Sequence, residues 1–237
     1  MHVLLLSTYE LGRQPFGLAS PAAWLREAGL DVACRDLSRD ALDPAEVRAA
    51  SLVALHVPMH TATRLALPVV ARLRELNPSA HLCAYGLYAP PNDELLRSAG
   101  IATVLGPEFE ADLVSLAQAV LRPGRHEPSG QPRSPAAAGL PRLAFRVPDR
   151  TGLPDAARYA SVTLPTGERR PAGYTEASRG CKHLCRHCPV VPVYGGHFRV
   201  VPADIVLADI GAQVARGVRH VTFGDPDFFN GIAHARR

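Results

Sequence analysis

The stretch SRGCKHLCRHCPV, residues 178–190, places three of the chain's five cysteines within eight positions. They are Cys181, Cys185 and Cys188, in the spacing C-x3-C-x2-C. Three thiols on so short a loop can converge on one metal centre, because the loop can curl around it. Their odd number, in a chain without a secretory signal, argues against disulfides. The motif therefore predicts a metal site.

Two kinds of metal site fit these residues. A structural zinc ion usually needs a fourth ligand, which His183, His187 or His197 could supply. An iron–sulfur cluster held by three cysteines leaves one iron open to a small molecule, although ligation by four cysteines is commoner. Cys34 and Cys83 fall in predicted buried strands, so we expect them to be core residues.

The segments around the motif predict a βαβ unit. Residues 161–164 read as a strand before the cysteines, residues 202–216 as a helix after them, and residues 218–223 as a second strand. In barrels built from such units, the loops that follow the strands carry the chemistry. The cysteines are therefore expected on a functional loop.

Residues 1–121 alternate between short apolar segments and helix-like segments. Strands are predicted at residues 3–6, 30–34, 52–56, 81–85 and 102–105. The pair Ser20–Pro21 is an N-cap and first-turn signal for a helix. The fold class is therefore α/β, with a doubly wound, Rossmann-like parallel sheet. The loop after the first strand, with Tyr9, Glu10 and Gly12, lacks G-x-G-x-x-G and reads as an ordinary connection.

Composition divides the chain and limits its partners. Residues 122–141 hold five prolines and three glycines and predict a linker between an α/β domain over 1–121 and a second domain over 142–237.

No apolar run reaches the roughly 20 residues of a membrane helix, and the N-terminal run is too short for a signal peptide. We expect a cytoplasmic protein without a membrane partner. Basic residues crowd positions 122–150 without interleaved aromatic residues, so a nucleic-acid partner is not expected.

The segment ASRGCKHLCRHCPV resembles the cluster-binding loop of radical S-adenosylmethionine (radical SAM) enzymes. The segments YGLYAPP, GPEFEADL and FRVVPADIVLADIGAQVARGVRHVTFGDPDFF extend the resemblance to the subgroup with an N-terminal cobalamin (B12)-binding-like domain. The resemblance implies that Cys181, Cys185 and Cys188 hold a 4Fe-4S cluster whose open iron binds S-adenosyl-L-methionine (SAM). Electron transfer to SAM would generate a 5′-deoxyadenosyl radical. A flavodoxin or ferredoxin would supply the electron, and a small molecule or peptide, which the sequence does not identify, would be the substrate.

The resemblance also implies roles for four further residues. His187 stands where the family usually has an aromatic residue beside the last cysteine. Asp225 or Asp227 would face the amino group of SAM, since a carboxylate pairs well with an ammonium group; the alternative is a proline-containing turn with solvated acids. Arg179 would face the SAM carboxylate, with an exposed arginine as the alternative.

Two departures from the family pattern affect the expected function. The D-x-H-x-x-G motif is absent, because His56 and His60 do not match its spacing, although cobalamin could bind without that histidine and support methyl transfer. Only 49 residues follow Cys188, whereas a full (β/α)8 barrel takes about 250. The chain thus looks like the N-terminal part of a radical SAM protein, truncated within its barrel. The rival function is a non-catalytic zinc- or cluster-binding fragment that acts as a binding module.

Overall fold

A computed structural model of the chain describes residues 2–121 and 143–236. Residues 2–121 form a five-stranded parallel sheet with the strand order β2-β1-β3-β4-β5. Its strands are β1 His2–Ser7, β2 Val32–Asp36, β3 Ala50–His56, β4 His81–Tyr85 and β5 Thr103–Val104. Its helices are α1 Phe16–Glu27, α2 Pro44–Ala49, α3 His60–Leu76, α4 Asp93–Ser98 and α5 Glu110–Leu121. The predicted doubly wound α/β fold is confirmed.

Both faces of this sheet are covered, which explains why its strands read as unbroken apolar runs. Leu4 and Leu6 of β1 pack into one core, and Val3 and Leu5 pack into the other, since successive side chains of a strand point to opposite faces. All four are fully buried. Burial on both faces stabilises the sheet. The parallel pairing of β1, β3 and β4 places their carboxyl ends along one edge.

Helix α1 begins five residues earlier than the sequence predicts. It starts at Phe16, and Pro21 lies inside it instead of in its first turn. Pro21 has no N–H to donate to the carbonyl of Gly17, one turn earlier. The Tyr85 hydroxyl donates to that carbonyl at 2.8 Å instead, so the interior proline leaves no unsatisfied acceptor. The predicted cap, Ser20, instead donates its hydroxyl to Glu110 at 2.7 Å.

The second part of the described chain contains two small sheets. The strands β6 Ser161–Thr163, β7 Arg169–Thr175 and β10 His220–Phe223 form one sheet, in the order β10-β7-β6. The strands β8 Ser178–Gly180 and β9 Phe198–Val200 form an antiparallel pair. The helices are α6 Val191–Tyr194, α7 Ala203–Ala215 and α8 Ile232–Ala235. Strand β10 runs parallel to β7, and α7 connects them, so β7, α7 and β10 form the βαβ unit.

The prediction of which strand leads to the cysteines is wrong. The predicted strand at residues 161–164 corresponds to β6, which is the antiparallel neighbour of β7. Strand β7 itself has the sequence RRPAGYT, in which proline and glycine weaken the strand signal. Pairing with β6 on one side and β10 on the other stabilises it despite that composition.

The segment at residues 143–160 lies against the first sheet domain. The backbone N–H of Asp149 donates to Ala19 at 2.9 Å, and that of Ala160 donates to Gly12 at 2.9 Å. Asp149 also forms an ion pair with Arg26 at 2.7 Å. The predicted linker, residues 122–141, lies outside the described residues. Within residues 2–121 and 143–236, the helices are too short or too polar to cross a membrane.

Candidate functional site

The cysteine loop, which we define as residues 181–197, is closed at its base by the β8–β9 pair. Gly180 pairs with Phe198 across this ladder and directly precedes Cys181. Gly180 has a φ of +70°, and a Cβ there would lie 2.2 Å from the carbonyl oxygen of His197 and 2.6 Å from the Tyr194 ring. Only glycine fits this position. The loop therefore leaves and re-enters the fold at fixed points.

The three thiols of the loop are free and differ in exposure. Cys185 is exposed, whereas Cys181 and Cys188 are half-buried against a small apolar cluster that includes Tyr194. The N–H of Cys188 donates to the carbonyl of Cys185 at 3.2 Å, which brings these two residues into one turn. Among the described residues, no three His, Cys, Asp or Glu side chains are grouped as a metal-ion site.

Two glutamates of the first domain contact residues on both sides of the cysteine loop. Arg179, two residues before Cys181, donates to Glu110 at 2.6 Å and has its guanidinium 3.9 Å from Glu108. Tyr194, after Cys188, donates its hydroxyl to Glu108 at 3.0 Å. All four of these side chains are more than nine-tenths buried. The start of α5 therefore anchors the flanks of the loop.

Arg179 also pairs with a third carboxylate, that of Glu176, at 3.2 Å. Burial raises the pKa of Glu176 to about 7, and Arg179 opposes that rise. Burial likewise raises the pKa of Glu108, again opposed by Arg179. Burial alone would lower the pKa of Arg179, but Glu110, Glu176 and Glu108 together raise it well above its ordinary value. Arg179 thus stays charged and is shared among three carboxyl groups.

A cleft of about 290 Å³ lies between the carboxyl edge of the five-stranded sheet and the cysteine-loop region. Its walls include Glu10, Phe109, Tyr174, Glu176 and Arg179. Ligands of doubly wound sheets bind outside the carboxyl ends of the strands, which is where this cleft is. The cleft is therefore the place where a ligand of the first domain would meet the cysteine loop.

Glu10 and His56 form the wall of the cleft that belongs to the first domain. The Nδ1 atom of His56 lies 3.2 Å from a carboxylate oxygen of Glu10, and both residues are about nine-tenths buried. The His56 ring stacks near Tyr85, with ring centroids 5.3 Å apart. It packs so closely on Gly17 that a Cβ there would lie 2.0 Å from the imidazole. His56 is thus held in place by its neighbours.

Comparison with solved structures identifies the architecture. Two structures of the radical S-adenosylmethionine methyltransferase TsrM from Kitasatospora setae match the whole chain and 50% of TsrM, with TM-scores of 0.71 and 0.72 at 19% and 18% identity. The chain has the fold of a radical SAM protein. The resemblance predicted from the cysteine motif and the preceding α/β domain is confirmed. One TsrM structure contains a tryptophan substrate and a SAM analogue, and the other contains cobalamin and a [4Fe-4S] cluster.

Two curated sequence relatives match a shorter part of the chain, 90 residues in each case. Ribosomal protein uS12 methylthiotransferase RimO from Geotalea uraniireducens is 30% identical over 90 residues, and RimO from Geobacter sulfurreducens is 29% identical. Each match covers 34% of this chain and 20% of the relative. No protein-family model matches the sequence. The chain thus spans about half of TsrM and about a fifth of the curated relatives it matches.

The two candidate aspartates lie after β10, and both contact the N-terminal side of the cysteine segment. Asp225 accepts from the backbone N–H of Ala177 at 3.1 Å and from the Ser178 hydroxyl, just before the loop. Asp227 lies 3.3 Å from the imidazole of His183, within the loop. A SAM contact by either carboxylate stays a prediction.

The other two candidates differ in exposure. His187 is exposed. Arg179 is 7% exposed, so the alternative of a solvent-exposed arginine is wrong. Its predicted contact with SAM, like that of His187, stays a prediction.

The sequence reading missed the acidic residues around Arg179. Glu108 and Glu110 entered the sequence analysis only within the segment GPEFEADL, and Glu10 only as part of an ordinary loop. A signal was present, because glutamates at the start of a helix and after a β-strand fall at the ligand-binding edge of a doubly wound sheet. What the sequence could not supply was the partner, since Arg179 lies 69 residues from Glu110 along the chain.

Replacing Glu110 by glutamine is expected to lower the free energy of unfolding by about 1–3 kcal/mol. The substitution keeps the shape but removes the charge that pairs with Arg179 and accepts from Ser20. Glu27→Gln is the matched control, because Glu27 pairs with Arg146 with 58% of its side chain exposed; its loss should cost no more than about 1 kcal/mol. Chemical denaturation measures both. Equal effects of the two substitutions would contradict the anchoring role of Glu110.

Proposed function

We propose that the chain binds a 4Fe-4S cluster through Cys181, Cys185 and Cys188 and acts in the reductive cleavage of SAM. The observation that carries the proposal is the cysteine loop itself. It presents three free thiols between two anchored ends, beside a cleft at the ligand-binding edge of an α/β domain. The likeness to TsrM and RimO supports the same reaction class.

The donor set fits such a cluster. Thiolates are the ligands that iron–sulfur clusters take, and three of them leave one iron open. Fixed loop ends with an exposed Cys185 between them allow the loop to close around the cluster without moving β8 or β9. When bound, the cluster supplies the electron that cleaves the sulfonium of SAM to a 5′-deoxyadenosyl radical.

We assign the carboxylate that faces the SAM amino group to Asp227. Both oxygens of Asp225 are engaged with Ala177 and Ser178, where they hold the strand that leads into the loop. The oxygens of Asp227 are also engaged, with the N–H of Phe229 and the side-chain amide of Asn230. Asp227 differs from Asp225 in contacting the loop itself, through His183 at 3.3 Å, so an ammonium group near the cysteines could pair with it. His187 lies on the exposed side of the loop and would cover the bound cofactor. Arg179 would not contact the loop interior directly. It would contribute its positive charge and fix the position of β8, the strand that leads into the loop.

One TsrM structure contains cobalamin, which can take a histidine as a ligand to its cobalt ion. The histidine at the carboxyl edge, His56, is buried and is packed against Gly17, Tyr85 and Glu10. It is therefore not free to reach a cobalt ion. The residues present do not fit histidine-ligated cobalamin.

We propose the substrate and the electron donor by chemical class only. The substrate is an organic small molecule or peptide that reaches the cleft. Cys185, the exposed thiol, marks the side from which a flavodoxin or ferredoxin could pass an electron to the loop. The chain spans half of TsrM, and the substrate of TsrM does not carry over.

Anaerobic reconstitution with iron and sulfide tests the proposal. We expect about four iron atoms per chain, a brown colour and cluster absorption in the visible range. After reduction with dithionite, SAM should be cleaved to 5′-deoxyadenosine and methionine, which chromatography detects. A chain that stays colourless and instead retains one zinc ion without cleaving SAM would establish the rival function, a metal-binding module.

A further inference from the structure

Four carboxylates line the cleft or lie directly behind its wall. Glu10 and Glu176 line it, and Glu108 and Glu110 lie directly behind Arg179. Arg179 and Arg13 are the guanidinium groups on its walls. Arg179 is already shared among three glutamates, and Arg13 lies over the Tyr174 ring at 4.9 Å. Arg179 therefore compensates Glu108, Glu110 and Glu176, with Arg199 also acting on Glu108, and it forms no ion pair with Glu10 among the described residues.

Glu10 is the carboxylate whose negative charge has the fewest positively charged partners. It is 91% buried and lines the cleft, and its Oε2 atom accepts no hydrogen bond from the residues that the structure describes. The nearest titratable group is His56, whose Nδ1 lies 3.2 Å away without hydrogen-bond geometry. A buried carboxylate oxygen without a donor is costly, so the site favours a ligand that brings one.

Much of the remaining wall of the cleft is apolar, with aromatic rings beside aliphatic side chains such as Met59 and Leu87, which favours an organic ligand. Phe16 and Tyr174 meet edge to face with ring centroids 6.1 Å apart, and Phe109 lies 4.4 Å from Tyr85. Arginines already lie over these rings: Arg13 over Tyr174, Arg150 over Phe16 and Arg179 over Phe109. The carboxylates are therefore the groups left to pair with a ligand cation, and the rings would contact an apolar body. A metal ion is a poorer match, because no three metal-binding side chains are grouped among the described residues.

From this arrangement we propose that the cleft binds a substrate that carries a protonated amine on an apolar body, with the amine between Glu10 and Glu176. The inference rests on the proposed function and names the substrate class for the same site. The backbone conformation of the β1–α1 loop is also typical of a ligand-binding site. Leu11, beside Glu10, adopts a left-handed φ of 53° and is 55% exposed where it lines the cleft. Such strain in a non-glycine residue is concentrated at ligand sites.

The binding of an amine should depend on pH through Glu176. The groups that face it are Arg179 from β8, Glu110 from α5, Glu10 from the β1–α1 loop, Tyr174 from β7 and Tyr194 from α6. With a pKa of about 7, Glu176 is largely protonated at pH 6 and largely ionised at pH 8. An aliphatic amine keeps its charge over that range, since its pKa lies near about 10. Affinity for the amine should therefore rise with pH and binding should release protons.

Three probes with the same phenyl body but different charge test the inference on the full chain without iron. They are phenethylamine, phenethyl alcohol and hydrocinnamate, titrated by calorimetry at several pH values. We expect the amine to bind about tenfold or more tightly than the alcohol, and the carboxylate to bind most weakly. Glu10→Gln and Glu176→Gln should each abolish the preference for the amine and leave alcohol binding unchanged. Glu75→Gln, on the exposed face of α3, is the control.

Each contrary outcome overturns the inference. Hydrocinnamate binding as tightly as the amine would show that Arg13 and Arg179 dominate the cleft. No amine binding at millimolar concentration, or an unchanged preference in both glutamine variants, would remove Glu10 and Glu176 as the recognising groups. Iron loading is measured separately, so a failure here leaves the cluster proposal standing, and a failure of iron loading leaves the amine preference measurable.

Discussion

Serine in place of Cys181, Cys185 or Cys188 is expected to abolish stable cluster binding. Each substitution replaces a thiolate by a weakly coordinating hydroxyl, and three ligands are already one fewer than most clusters use. Iron per chain should fall from about four to near zero, with loss of the visible absorption and of SAM cleavage. Iron analysis after anaerobic gel filtration measures the first effect, and chromatography of 5′-deoxyadenosine measures the last.

The chain contains its own control for this experiment. Cys34 and Cys83 are fully buried in the sheet of the first domain. Burial raises the pKa of the Cys34 thiol to about 11 and raises that of Cys83 further, so neither offers a thiolate near neutral pH. Cys83→Ala should therefore retain full iron content. If a loop variant also retains its iron, or if Cys83→Ala loses it, the assignment of the ligands is wrong.

The sequence was sufficient for those parts of the fold that depend on local pattern. Buried parallel strands are continuous apolar runs, so β1, β3 and β4 could be located to within two residues, and the cysteine spacing identified the loop. Asp43, which directly precedes Pro44, is a local cap signal of the same kind, and it accepts from the N–H of Ala45 at 2.8 Å. These features depend on neighbours within a few residues, which the sequence displays directly.

Features that depend on distant partners could not be predicted in the same way. Strand β7 exists because β6 and β10 pair with it, although RRPAGYT has little strand propensity of its own. Pro21 is tolerated inside α1 because Tyr85, 68 residues away from Gly17, satisfies the freed carbonyl. Arg179 is buried because three glutamates from two separate segments meet it. In each case the deciding contact joins segments far apart in sequence.

Asp209→Ala is expected to be strongly destabilising. Asp209 lies on α7, is 1% exposed and forms a two-pronged ion pair with Arg150, itself 6% exposed. The same carboxylate accepts from the Thr175 hydroxyl at 2.7 Å, and Arg150 donates to the Tyr174 carbonyl at 2.8 Å. The pair therefore ties α7 to β7 through buried contacts on both elements.

Removing the carboxylate leaves the Arg150 guanidinium buried without its counter-charge, which costs about 3–5 kcal/mol. Domains of this size are stable by only about 5–15 kcal/mol, so this is a large fraction of the total. Asp40→Ala is the matched control: its partner Arg158 is half exposed, and an exposed pair contributes about 1 kcal/mol or less. Urea denaturation followed by circular dichroism measures both variants.

The double variant Arg150→Met with Asp209→Leu separates the lost pairing from the uncompensated charge. Replacing both members of a buried pair by apolar groups of similar volume is often close to neutral, so most of the stability should return. Hydrogen exchange should locate the damage of Asp209→Ala in β7 and α7, which flank the cysteine loop in sequence, and should leave β1 and β3 protected. A loss below about 1 kcal/mol in the single variant, or a double variant as unstable as the single one, would mean that α7 is held to β7 by its apolar contacts alone.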